Sequence, residues 1–222
     1  NGTFLPAPPV YSKQPRSAFH NMAKEVFDAS KAPSPENTAM AIFWRDVPGA
    51  TTPGHWISIF VQVLDKKNPS LAKAAAAYAL TGAGLNDAAI AVLKVKYHYN
   101  LGRPVTYIKE VMGEGAYNTV ISTPAHPEYP SAHSSLSMAV AQILEKMFGN
   151  SGQFTDRTYD YLGFAPRTYN SYPAIAEEAG KSRLYAGIHY QYSIDKGLEQ
   201  GKKVASNILD RCSLTGYSLK LC

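Results

Sequence analysis

The sequence predicts an all-α protein built as a helix bundle, and three observations carry that expectation. Apolar residues recur three and four apart through most of the chain, which is the repeat of a helical face. No stretch of apolar and polar residues alternates for long enough to make a strand. Clusters of Pro and Gly punctuate the periodic stretches, as short connections between packed helices do.

Residues 1–16 contain Pro6, Pro8, Pro9 and Pro15 and read as an extended N-terminal arm, ahead of a helical domain over 17–211 and a tail over 212–222. Ser17 to Ala29 sets Phe19, Met22, Ala23, Val26 and Phe27 on one face. A turn at 31–36 leads to a short apolar element from Thr38 to Trp44, and Pro48, Gly49, Pro53 and Gly54 mark a loop. From His55 the helical repeat is strong, through Trp56, Ile59, Phe60, Val63 and Leu64; His55, after its Pro-Gly turn, reads as a cap or surface residue. An alanine-rich helix from Pro69 to Leu80 is expected to break at Thr81-Gly82-Ala83-Gly84, and another to run from Asp87 to about Gly102. Residues 109–130 hold three prolines and two glycines without periodicity, a loop long enough to suggest function. Ser134 to Phe148 is a helix stopped by Gly149-Asn150, 151–172 fits helix or loop, and Pro173 to about Leu184 and Ile194 to Cys212 close the series.

The chain has 222 residues, 45% of them hydrophobic and 18% charged, with 15 Tyr and 8 Phe, a composition for a packed core rather than disorder. No run approaches the roughly 18 apolar residues of a membrane span. The net charge of +5 is scattered, with no dense basic tract, so no nucleic-acid partner is expected. The chain opens on Asn1 rather than Met, as a processed or fragmentary product would. The two cysteines, Cys212 and Cys222, lie at the C-terminal end; a disulfide there implies an oxidising compartment, periplasmic or secreted, and two idle thiols are the alternative.

Three clusters concentrate chemistry. Lys96 precedes Arg103-Pro104 by seven residues, and Pro104 holds Arg103 out of helical geometry so that its guanidinium sits at a helix end. His126-Pro-Glu-Tyr-Pro130-Ser131-Ala132-His133 runs directly into a helix, where a serine and free backbone N–H groups receive anions. Ser182-Arg183 is followed by His189, and Gly187 offers the bend that would let Arg183 and His189 cooperate. Together they supply three cations, a hydroxyl and two histidines with no comparable cluster of acids. Arg forks and a Lys point charge suit a tetrahedral or trigonal-bipyramidal oxyanion, while one histidine bonds its central atom and another moves protons. Phosphoryl and vanadate fit equally.

The ordered motifs Lys96…Arg103-Pro104, Pro130-Ser131-Ala132-His133 and Ser182-Arg183…His189 resemble the superfamily of type 2 phosphatidic acid phosphatases and vanadium-dependent haloperoxidases. Leu85-Asn86-Asp87 before the first motif and Pro127-Glu-Tyr before the second resemble its soluble bacterial haloperoxidase branch, over roughly residues 40–210. The resemblance implies that Lys96, Arg103 and Arg183 grip vanadate, that Ser131 and the Ala132 backbone bond its oxygens, and that His189 is the metal ligand. It makes His133 the acid–base group and Lys96 the residue that polarises bound peroxide. It implies hydrogen peroxide and a halide as substrates and a small organic acceptor. His126 stands seven residues before His133, where bromide-oxidising relatives carry His and chloride-oxidising ones Phe, which points to bromide or iodide.

Two positions depart from the pattern. Ala132 replaces a usual Gly, so its N–H serves an oxyanion only where the backbone accommodates a Cβ. Ser193 stands where Asp commonly follows the histidine by four and, in the phosphatases, orients it; Ser193 reads as a helix cap with Asp195 in the first turn. Two other functions remain open: a soluble acid phosphatase using a phosphohistidine at His189, with phosphate in the same site, and a non-catalytic oxyanion-binding bundle. Soluble haloperoxidases are longer two-bundle proteins, so the chain matches a C-terminal half, and either a homo-oligomer or a missing N-terminal half would complete it.

Overall fold

Six helices start the same way: the hydroxyl of Ser17, Ser34, Thr51, Ser70, Ser131 or Ser171 accepts a hydrogen bond from the backbone N–H three residues on. Each such cap contributes about 1 kcal/mol and fixes where its helix begins. The computed structural model describes residues 5–46 and 50–214. Its helices are α1 (Ala18–Ser30), α2 (Pro35–Phe43), α3 (Thr52–Lys67), α4 (Leu71–Tyr99), α5 (Pro104–Glu110), α6 (Ala132–Phe148), α7 (Tyr172–Tyr185) and α8 (Gln191–Leu214). The expected Cys212–Cys222 pairing lies outside the described residues.

α6 is the central element, buried from His133 through Leu144 except at Gln142 and packed on α4, α7 and α8. Its small residues let neighbours come close, and the neighbours answer with glycine. A Cβ at Gly201 of α8 would lie 2.3 Å from the Ser135 carbonyl oxygen, and one at Gly84 of α4 would lie 2.6 Å from Ile143 Cδ1. This explains one correction. The Thr81–Gly84 stretch does not break the helix, because α4 runs unbroken from Leu71 to Tyr99 and Gly84 marks a close approach to α6.

α4 ends at Tyr99, earlier than the expected Gly102, through Asn100 in the left-handed conformation (φ 47°). It also contains an 18-residue window of mean hydropathy 1.3, apolar enough by length and composition to cross a membrane, which the reading of apolar runs did not anticipate. One face of that helix packs against α6 and α8. The opposite face leaves Leu71, Tyr78, Ile90, Leu93 and Tyr97 exposed, and Asp87 is the single charge between Lys73 and Lys94.

Residues 151–172 resolve into a two-stranded antiparallel hairpin, β1 (Phe154–Asp156) with β2 (Arg167–Tyr169). Strands of three residues are too short to declare a period. The hairpin brings Asp156 to His55, correcting its placement as a cap or surface residue. His55 is buried, its Nε2 lies 2.6 Å from Asp156 Oδ2, and its ring stacks on Trp44 at 4.4 Å. It belongs to the apolar face of α3, one turn before Ile59. The described arm, from Leu5, lies on the bundle, held by tyrosines whose hydroxyls donate to its carbonyls: Tyr99 to Leu5, Tyr129 to Pro6, Tyr192 to Ala7 and Tyr107 to Ser12.

Candidate active site

The three motif clusters meet at one end of the bundle around a cavity of about 680 Å³. Lys96 comes from the last turn of α4, Arg103 from the extended residue that opens α5, Ser131 to His133 from the start of α6, and Arg183 from the last turn of α7. Pro104 at the first position of α5 holds Arg103 at ψ 148°, as the sequence implies. The bend between α7 and α8 falls at Gly187, whose φ is 79° and where a Cβ would meet Tyr117 Oη at 2.3 Å; it turns His189 back toward Arg183.

His126, Ala132, His133, Arg183 and His189 reach the cavity wall, with Val120, Ile121 and Ile188 as apolar neighbours. Arg103 stands one layer behind, donating through Nη1 to the Ile188 carbonyl at 2.8 Å and to His189 Nε2 at 3.2 Å. Its Nε reaches the His126 carbonyl at 3.1 Å and its Nη2 lies 3.2 Å from His126 Nδ1, which joins His126 to the cluster. Lys96 is fully buried and donates to the carbonyls of Pro127 and Glu128, each at 2.8 Å, so it braces the loop that forms the wall. Ser131 is also fully buried, and its hydroxyl accepts from Ser134 N at 3.3 Å. Ala132 is the first residue of α6 in ordinary helical geometry, so its Cβ is accommodated; the opening N–H groups of the helix have no acceptor within it.

Burial dominates the electrostatics. It lowers the Arg183 guanidinium to about 10 and the Lys96 ammonium to about 7, the latter aided by Arg103 and opposed by Glu128. Among the described residues no carboxylate lies within ion-pair distance of Lys96, Arg103 or Arg183. Buried cations without such partners are costly unless an anion joins them. His133 is held to about 3, first by burial and then by the Arg183 charge, and is neutral near pH 7. Its Nε2 lies 2.9 Å from the Trp44 carbonyl and 3.1 Å from Thr52 Oγ1; a carbonyl only accepts, so Nε2 carries the hydrogen. His189 is also pushed well below its ordinary value by burial, then by Arg103 and Lys96.

One residue of the site escaped the motif reading. Glu128, with no exposed surface, places Oε1 2.6 Å from His189 Nδ1 and 3.0 Å from Tyr190 N, and accepts from Ser193 Oγ at 2.6 Å on Oε2. Ser193 is therefore no helix cap. It lies inside α8 with its hydroxyl on a carboxylate. The available signal was an acid just before the Ser131 turn together with the missing acid at 193. Trp44, Thr52 and the half-exposed Asp46 beside His133 have no motif around them.

Residues 76–215 match the family model of the VCPO second helical-bundle domain. The chain belongs to the vanadium haloperoxidase family. Among solved structures this haloperoxidase-family chain is similar to a bacterial vanadium-dependent iodoperoxidase, with a TM-score of 0.87 and 33% identity over 93% of this chain and 52% of that one. Holo and apo structures of a bacterial vanadium-dependent chloroperoxidase share the fold, each with a TM-score of 0.68, at 20% and 19% identity. They are matched over 86% and 93% of this chain and 47% and 55% of theirs. The haloperoxidase-family chain thus spans about half the length of these relatives. No curated protein sequence matches it significantly.

Proposed function

We propose that the chain is a vanadate-dependent haloperoxidase that oxidises bromide or iodide with hydrogen peroxide. The observation that carries this reading is the convergence of buried Lys96, Arg103 and Arg183, without carboxylates in ion-pair reach, around neutral His189. That donor set fits an oxyanion of two or three negative charges, and an imidazole whose Nε2 lacks a proton fits its central metal. When bound, vanadate supplies the electrophilic centre at which peroxide becomes reactive toward halide.

The chain's own residues bind, orient and move protons. Arg183 presents its guanidinium from the cavity wall, fixed by its Nε bond to Ser182 Oγ and its Nη2 bond to the Ala41 carbonyl. Arg103 adds charge from behind His189, and Lys96 contributes its charge through the loop it braces. Ser131 and the Ala132 N–H set the anion-receiving start of α6. His133, with Nε2–H on the Trp44 carbonyl, leaves Nδ1 as the ring's acceptor, and the negative charge of a bound oxyanion would raise it from its depressed value and let it take a proton from peroxide. His126 on the cavity wall and the similarity to an iodoperoxidase favour bromide or iodide over chloride, and the apolar Val120 and Ile121 leave room for a small organic acceptor.

The test is halogenation of a dye by the vanadate-loaded chain with peroxide and iodide, bromide or chloride, beside the His189→Ala variant. Activity with iodide or bromide that disappears in His189→Ala is expected. Undiminished activity in that variant would remove His189 as the ligand.

Glu128 favours one second reading. A carboxylate on His189 Nδ1 is what a phosphohistidine mechanism needs, so a soluble acid phosphatase regains the orienting acid that Ser193 lacks. Hydrolysis of p-nitrophenyl phosphate without vanadate, and no halide-dependent peroxide consumption, would establish it. For partners, we propose that the exposed apolar face of α4 is covered by a second copy or by a bundle like that of the longer relatives; sedimentation of the chain as a monomer at micromolar concentration would exclude the second copy. Placement in the periplasm or outside the cell rests on a Cys212–Cys222 disulfide, and thiol titration of the unfolded chain tests it.

A further inference from the structure

The residue four after His189 is a serine, yet His189 Nδ1 is not without an acid. Glu128, sixty-one positions earlier in sequence, fills that place from the loop before α6. Its carboxylate contacts three groups from one short stretch of chain: the His189 ring, the Tyr190 N–H and the Ser193 hydroxyl. Ring and main chain of successive residues are thus gripped by one oxygen, which fixes the direction of the imidazole as well as its proton.

The proton's position follows from hydrogen-bond roles. Burial pushes the Glu128 carboxyl up, opposed by the Ser193 hydrogen bond and the Lys96 charge; ionised, it only accepts, Tyr190 N donates to Oε1, and His189 Nδ1 carries the hydrogen. On the opposite side Arg103 Nη1 lies 3.2 Å from His189 Nε2, and a guanidinium can only donate, so Nε2 holds the lone pair. Two contacts favour the same tautomer, the one whose unprotonated Nε2 can bond a metal or attack phosphorus.

We propose that Glu128 is the positioning residue for His189, replacing the carboxylate that relatives carry four residues after the histidine, and that Ser193 is its latch. The consequence of this role for vanadate rests on His189 being the ligand, whereas the tautomer does not. An acid at 193 is disfavoured while Glu128 is present, because Ser193 Oγ already lies 2.6 Å from Oε2 and a second carboxyl there would have to share a proton with the first. The two arrangements are alternatives, so the sign of one substitution depends on the other.

The experiment compares wild type with Glu128→Ala, Glu128→Gln, Ser193→Asp and the Glu128→Ala/Ser193→Asp pair. Ring ¹⁵N shifts report the His189 tautomer in the chain without vanadate, calorimetric titration with orthovanadate reports affinity, and thermal melting reports folding. Glu128→Ala leaves only the longer Arg103 contact, 3.2 Å against 2.6 Å, to hold the ring, so it should turn a single tautomer into a mixture and weaken vanadate binding by about 10–100-fold, the usual effect of losing a partner behind a metal ligand. Ser193→Asp should weaken binding in the wild-type background and raise the affinity of the Glu128→Ala background at least threefold. Glu128→Gln keeps an acceptor on Nδ1 and loses the charge, so it should keep the tautomer and lose affinity severalfold; should Glu128→Ala not fold, this variant carries the test. An unchanged tautomer and affinity in Glu128→Ala, an unchanged affinity in Glu128→Gln, or Ser193→Asp acting with the same sign in both backgrounds would overturn the proposal. Absence of vanadate binding by wild type would refute the proposed function instead, while the ¹⁵N measurement would still decide the role of Glu128.

Discussion

Replacing Gly201 by alanine tests how α8 is seated on α6. The added Cβ would lie 2.3 Å from the Ser135 carbonyl oxygen, 2.9 Å from Ala139 N and 2.9 Å from Met138 Cβ. Two of those atoms are backbone of the central helix, so no side chain can rotate away, and α8 must move outward by about 1 Å to reach ordinary contact. Against this, Gly→Ala inside a helix gains about 1 kcal/mol of propensity. Overpacking costs about 1–3 kcal/mol, and with two backbone contacts the upper end applies. The net loss is about 2 kcal/mol, a fall in Tm of about 4–8 °C for a chain of this size. Gly82→Ala is the matched control, in helix α4 with nothing within 4 Å of the new Cβ; it should raise Tm by about 2–4 °C. Urea unfolding and thermal melts of the three proteins give the comparison. A Gly201→Ala variant as stable as wild type would refute the close seating of the helices and the geometry of the site built on it.

The remaining predictions concern buried groups. His133 has a folded value of about 3 against its ordinary 6.5, so the unfolded chain takes the proton first as pH falls. Its contribution is complete above about pH 6.5 and is lost toward pH 3, at about 2 kcal/mol between pH 6.5 and 5. Urea unfolding at pH 7 and 5 should show a smaller pH effect in His133→Gln than in wild type, and equal effects would contradict the assignment. Asp156→Ala strands His55 in the core and should cost about 3–5 kcal/mol, with a change in tryptophan fluorescence because Trp44 stacks on His55. A variant within 1 kcal/mol of wild type would show that the pair is dispensable.

Local rules made much of the fold readable. Pro104 dictates the extended Arg103, Gly187 supplies the left-handed bend before His189, and Ser17 opens the first helix, whereas the Ser34 and Thr51 caps start α2 and α3 three residues ahead of the expected Thr38 and His55. What stayed hidden depends on contacts distant in sequence. Gly84 looks like a helix breaker until Ile143 of α6 arrives against it. His55 looks superficial until the short hairpin delivers Asp156. The three motifs name Arg183, His133 and His189 on the cavity wall and Arg103 and Lys96 behind it, but Glu128 is a single acid in a proline-rich loop, and only the folded chain brings it to His189.

The central claim is that Arg183 and His189 on the cavity wall hold one oxyanion, with Arg103 and Lys96 adding charge from behind it. Calorimetric titration of the purified chain with orthovanadate near pH 7, beside Arg183→Ala and His189→Ala, tests it most directly. One vanadate bound per chain, with binding lost or weakened at least 10-fold in each variant, is the predicted result. No binding by the wild-type chain, or wild-type affinity in His189→Ala, would contradict the account.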